Sequence, residues 1–228
     1  MKSLIAGGAI ALAVAAGAFF WTGNAGGQGE TALPTGAVNA QEAGEEAGQV
    51  DVSGIVEMTM GPEDADVTVV EYASFTCPHC ATFHENQFKK LKADYIDTGK
   101  VHFIYRDVYF DRLGLWASMV ARCGGRDRFF GISEMLYDQQ RDWIGSGDDP
   151  VQIANNLRRI GKVAGLDEDK LESCLADIGK AQALVTWFEA NAEADDITST
   201  PTLIINGEQY SNMGYDELKA ILDEELAG

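Results

Sequence analysis

Basic residues are scarce in this chain, and so are cysteine, histidine and proline. Lys and Arg number 17 against 36 Asp and Glu, a formal charge of −19 at pH 7. So acidic a chain, with no cluster of Lys or Arg, is repelled by phosphate backbones, which excludes nucleic-acid binding as its function. Four cysteines, Cys77, Cys80, Cys123 and Cys174, are too few for a disulfide scaffold. An even number does suit an exported protein that pairs its thiols. There is no second Cys-x-x-Cys, so Cys77, Cys80, His79 and His84 fall short of a zinc site. His79, inside the motif, is badly placed to share a metal with both thiols, and neither a metal nor another cofactor is expected. The absence of an internal repeat at solenoid spacing excludes a repeat array. What is there is a chain of 228 residues, 46% hydrophobic and 23% charged, enough for a globular protein with a sizeable core.

The first 25 residues follow the pattern of an export signal. Met1-Lys2-Ser3 is a weakly positive start, Leu4 to Trp21 form 18 residues without charge, and Gly23-Asn24-Ala25 offers small residues for cleavage. Residues 1–25 therefore read as a signal peptide or, if uncleaved, as a membrane anchor, because 18 apolar residues stand at the lower limit for a span. Either way the rest lies outside the cytoplasm. Residues 26–50 are rich in Gly, Ala, Glu and Gln without a hydrophobic period and read as a flexible linker or tether.

Residues 51–228 carry the folded domain. Val67 to Tyr72 is a β-branched, apolar run that reads as a buried strand. From Pro78 to Gly99 the spacing of Phe83, Phe88, Leu91 and Tyr95 predicts a helix ended by the glycine. Val101 to Tyr105 reads as the next strand, which makes a βαβ unit with a parallel pair. Strand signals then vanish between about residues 112 and 195. Leu115–Arg122 and Phe129–Gln139 read as helices, Asp149-Pro150 opens another through Ala164, and Asp167 caps one through Ile178. Ala181–Ala194 continues the helical pattern, into which Trp116, Phe129, Phe130, Trp143 and Trp187 fall as core residues. Thr202–Ile205 reads as a strand, Asn206-Gly207 as a hairpin turn to Gln209–Ser211, and Tyr215–Leu226 as a closing amphipathic helix. The fold class is α/β, split by an all-helical insertion.

The chemistry concentrates at Cys77-Pro78-His79-Cys80. Two cysteines three positions apart at a helix start can close a small disulfide. Unpaired N–H groups and the helix dipole favour a thiolate at Cys77, which makes it both nucleophile and good leaving group. Cys80, a turn further in, can resolve a mixed disulfide. Pro78 needs no N–H partner at the first turn, and His79 can add positive charge or a hydrogen bond near the thiolate. A stabilised thiolate favours the reduced form, so the disulfide becomes oxidising.

The stretch from Val70 through Glu71-Tyr72-Ala73-Ser74-Phe75-Thr76 to Cys77-Pro78-His79-Cys80 resembles the active site of the DsbA family of periplasmic thiol:disulfide oxidoreductases. The resemblance runs from about Thr59 to the C-terminus. It implies a thioredoxin-like fold with the helical insertion at about 112–195. It makes Glu71, six residues before Cys77, the family's acidic residue beneath the site, able to relay protons during exchange if it is buried; otherwise it is an ordinary strand acid. It places Thr200-Pro201 at the loop where the family's cis-proline faces the disulfide and binds extended substrate. Many DsbA proteins carry valine before that proline; the threonine here is familiar in related isomerases and reductases, and its hydroxyl can reach a sulfur and alter the redox poise.

Cys123 and Cys174, 51 residues apart in the insertion, are expected to form a structural disulfide. It would be worth roughly 4 kcal/mol in the chain-entropy model. The alternative is two buried free thiols. His102, in a strand pattern, is expected to be structural. The expected activity is oxidation of unfolded or reduced exported proteins through a mixed disulfide at Cys77, with reoxidation by a DsbB-like quinone-linked membrane protein. Two alternatives stand beside it: a reductase or isomerase of the same fold, and a peptide-binding chaperone with a structural disulfide. Isomerases of this group dimerise through an extra N-terminal domain that residues 26–50 are too short to supply, so a monomer is expected.

Overall fold

A computed structural model describes residues 50–228. The segment read as signal or anchor, and nearly all of the linker, lie outside the described residues. Among those described, no helix is long and apolar enough to cross a membrane.

Five strands form one sheet in the order β1-β3-β2-β4-β5: β1 (Met58–Met60), β2 (Val67–Ala73), β3 (Val101–Asp107), β4 (Thr202–Ile205) and β5 (Glu208–Ser211). The expected parallel pair is β2 with β3, in register from Val67 opposite Val101 to Ala73 opposite Asp107. β4 runs antiparallel to β2, with Glu71 opposite Leu203 and Tyr72 opposite Thr202. β2 is thus central, and its alternation decides the site. Val67, Val69 and Glu71 share one face, so the strand pattern that buries the two valines buries the carboxylate with them. β1, antiparallel to β3, escapes a sequence reading because three residues carry no period. Gly61 turns the chain after it with φ +79°, and a Cβ there would stand 2.2 Å from the Val101 carbonyl oxygen. Only glycine fits.

The helix after β2 begins as α1 (Pro78–Phe83), passes through a π-helical turn at His84–Phe88 and α2 (Lys89–Leu91), and ends in a second π-helical turn at Lys92–Ile96. The insertion consists of α3 (Arg112–Cys123), α4 (Arg126–Asp138), α5 (Gln140–Ile144), α6 (Pro150–Val163), α7 (Glu168–Leu175) and α8 (Ile178–Ala194), and α9 (Tyr215–Glu225) closes the chain. α3 and α4 start three residues before the sequence reading put them, because Asp111 and Gly125 are their caps. The helix expected from Asp167 through Ile178 is two helices. α7 stops at Leu175, and the Asp177 carboxylate accepts from the Lys180 N–H at 2.8 Å to start α8. A continuous core unites sheet and insertion, with Trp143, Tyr105, Phe75, Phe83, Phe103 and Phe129 fully buried.

Candidate active site

The site forms where β2 hands the chain to α1. Cys77 is the N-cap of α1, extended at φ −79°, ψ 118°, and Pro78 is the first helical residue. The approach is tied down at several points. The Cys77 N–H donates to the Ser74 carbonyl at 3.1 Å. The Thr76 hydroxyl donates to Asp111 at 2.7 Å, and the same carboxylate caps α3 through the Gly114 N–H. Buried Gln140 donates to the carbonyls of Phe75 (2.8 Å) and Cys77 (2.9 Å). The insertion therefore clamps the loop that presents the cysteine. Neither Asp111 nor Gln140 carries a sequence signal for this role: both act across the fold, from positions that look like ordinary polar surface.

Cys77 and Cys80 are both thiols in this structure, Cys77 partly exposed and Cys80 buried. Their acidities diverge. Hydrogen bonding from the Cys80 thiol is the largest influence on Cys77. Thr200 and the backbone N–H groups of Cys80 and His79 add to it, and together they overcome partial burial and pull Cys77 from 9.0 down to about 5. The helix N-terminus thus contributes as its unpaired amides predict, but behind the neighbouring thiol. Burial above all pushes Cys80 far up, reinforced by the Cys77 sulfur and by the charge of Glu71. What His79 brings to Cys77 is its backbone amide; its side chain, like Pro78, is exposed.

Because β4 pairs with β2, the Thr200-Pro201 bond that precedes it arrives beside the cysteines. This bond is cis, and the Thr200 carbonyl lies 3.5 Å from the Cys77 sulfur. Glu71 is fully buried beneath, so it is not a surface strand acid. Its two oxygens lie 3.1 and 3.0 Å from Nε2 of buried His84. The sequence reading weighed His84 only as a zinc ligand, since nothing local shows that residues 13 apart will meet. Tyr137 stacks on the His84 ring at 4.1 Å, and its hydroxyl meets that of Tyr105 at 2.6 Å. Among the described residues no group of three His, Cys, Asp or Glu is arranged to hold a metal. His102 is buried in β3. Cys123 at the end of α3 and Cys174 in α7 are joined, with Cα atoms 5.9 Å apart.

A family model described as Thioredoxin matches residues 54–224. The chain belongs to the thioredoxin family. Within it the chain is DsbA-like. Its fold is similar to that of alpha-DsbA1 from Wolbachia pipientis, with a TM-score of 0.69 and 25% identity over 75% of this chain and 91% of that one. The disulfide bond formation protein D of Bacillus subtilis is 29% identical over 200 residues, 83% of this chain and 86% of that protein. A Rickettsia bellii protein named as a protein-disulfide oxidoreductase is 31% identical over 171 residues, 75% of this chain. The match spans 60 to 64% of the length of the Rickettsia relatives.

Proposed function

We propose that the protein is an extracytoplasmic dithiol oxidase that passes a Cys77–Cys80 disulfide to exported proteins. The opposed acidities of the two thiols carry this reading. A substrate thiolate attacks the exposed Cys77 sulfur, the Cys77–Cys80 bond breaks, and Cys80 takes up the electron pair and a proton. A second substrate thiolate then attacks the substrate sulfur of the mixed disulfide. Cys77 departs as a thiolate, stable at neutral pH because of its donors. A substrate disulfide and two reduced cysteines remain. Attack at Cys77 rather than Cys80 follows from exposure, and Cys77 is a good leaving group because its thiolate is weakly basic. The Thr200 carbonyl beside the Cys77 sulfur supports pairing of an extended substrate backbone with this loop. A DsbB-like membrane quinone reductase is the partner proposed to reoxidise the pair, and the periplasm is the proposed compartment.

A second reading, a reductase or isomerase fed with electrons, rests on Thr200, whose side chain is among the groups that bond Cys77. The equilibrium reduction potential of Cys77–Cys80 in glutathione buffers decides between them. A value near the roughly −120 mV known for DsbA supports the oxidase, and one near thioredoxin's roughly −270 mV supports the reductase. Cys77→Ser abolishes exchange, and Cys80→Ala accumulates mixed disulfides visible on non-reducing gels. Exchange retained by Cys77→Ser would overturn the mechanism.

A further inference from the structure

The exchange steps leave one problem unsolved. Each time Cys80 passes between thiol and disulfide, one proton must enter or leave a place without solvent, since both Cys80 and Glu71 are 0% exposed. Glu71 can take that proton, and its charge acts on Cys80. On the sheet, however, Glu71 is flanked by Tyr105 and Leu203, neither of which can pass a proton on at neutral pH. Burial holds the phenols of Tyr105 and Tyr137 well above their ordinary acidity range. Among the described residues, the side chain that meets the Glu71 carboxylate is His84. Its Nε2 meets both Glu71 oxygens, and its residue lines a cavity of about 240 Å³ with Met60, Phe88, Phe130 and Tyr137. His84 is buried at the start of a π-helical turn, a feature frequent at functional sites. The charged groups around the cavity are Lys92 and Lys89, the latter paired with Glu134 and Asp138. Lys89, Glu134 and Asp138 are exposed, and half-exposed Lys92 is paired with Asp97.

We propose that His84 is a positioning residue of the exchange reaction, carrying the Cys80 proton between buried Glu71 and the cavity under α4. This deepens the oxidase reading and rests on it. In the resolving direction the Cys80 thiol gives its proton to the Glu71 carboxylate. The sulfur then attacks the Cys77 sulfur of a mixed disulfide, the Cys77–Cys80 bond forms, and the departing thiol leaves with the electron pair of the broken bond. The proton on Glu71 passes to the His84 ring, and one proton leaves the ring for water in the cavity. Reduction runs the same path inward. Imidazole suits this task because it gains and loses a proton near neutral pH, whereas lysine or arginine would hold Glu71 in a fixed ion pair.

The test mixes the reduced protein with oxidised glutathione, acid-quenches, and counts the Cys77–glutathione adduct by mass spectrometry. This separates formation of the adduct from its resolution by Cys80. His84→Gln keeps a hydrogen-bond donor beside Glu71 but carries no proton. It is expected to leave adduct formation within about twofold. Resolution at pH 7 is expected to slow at least about tenfold, less than the 10²–10⁴-fold of losing a direct general base, and to lose the pH inflection that the parent shows. His84→Lys, which keeps a cation there, should lose the same inflection, and His84→Gln should add nothing to Glu71→Gln. A resolution rate that keeps the parent's pH profile in His84→Gln and His84→Lys, whether slowed uniformly or not at all, overturns the role of His84. No adduct at Cys77 in Cys80→Ala, where resolution is blocked, overturns the oxidase reading instead.

Discussion

The Cys77 sulfur is shaped by a short set of neighbours whose order has consequences. The Cys80 thiol is the largest influence lowering it, ahead of Thr200 and of the backbone amides of Cys80 and His79. Replacing Cys80 by alanine removes the leading donor, while replacing Thr200 by valine removes a lesser one. Both substitutions should therefore raise the Cys77 titration midpoint from about 5, Cys80→Ala more than Thr200→Val. Thiolate absorbance near 240 nm, followed against pH on the reduced protein, reads the midpoint directly. A larger rise for Thr200→Val would mean that the threonine, not the second cysteine, sets the acidity of the nucleophile. The same comparison separates the pair's chemistry from the helix N-terminus, since the amides at the start of α1 stay in place in both variants.

Elements were legible in proportion to how local their signals are. The strands β2, β3 and β4 announce themselves by β-branched runs, and Asp149-Pro150 opens α6 where the cap and first-turn residues require it. The boundary between α7 and α8 was hidden because Asp177 looks like any acid inside a helical stretch, yet its carboxylate holds the Lys180 N–H and restarts the helix. Asp177→Ala is expected to cost about 1 kcal/mol, the ordinary worth of an N-cap, measured by urea denaturation with the Cys123–Cys174 bond intact. A cost near zero would show that core packing through Ala181 and Leu184 alone fixes the start of α8. The site divides along the same line. Cys77 and Cys80 were readable from a motif and its context, and Pro201 only through the family resemblance. His84, Gln140 and Asp111 were not, because each meets its partner from a distant point in the chain: 13 residues from Glu71, 63 from Cys77 and 35 from Thr76.

At the scale of the whole molecule, the acidity of one sulfur becomes a property of folding. The folded Cys77 value of about 5 is depressed from 9.0. A depressed acid stabilises the folded state fully above the unfolded value and loses that contribution as pH falls through the folded one. The reduced protein should therefore gain stability as pH rises from about 5 toward about 9, by an amount the oxidised protein, which has no Cys77 thiolate, cannot share. The raised value of Cys80 leaves this window untouched, since both folded and unfolded Cys80 stay protonated below about 9. Comparing the two redox forms isolates the cysteine pair and the groups that act on it. Paired urea titrations of reduced and oxidised protein at pH 4, 5.5, 7 and 8.5 measure it. The expected result is a gap in favour of the reduced form that widens with each step above pH 5. Folding and disulfide reduction share one thermodynamic cycle, so that gap makes the folded disulfide more oxidising than the same cysteine pair in the unfolded chain. A gap that does not change with pH would mean that the thiolate is not what drives the disulfide toward its substrate, and the oxidising power would then have to come from strain or packing in the oxidised state.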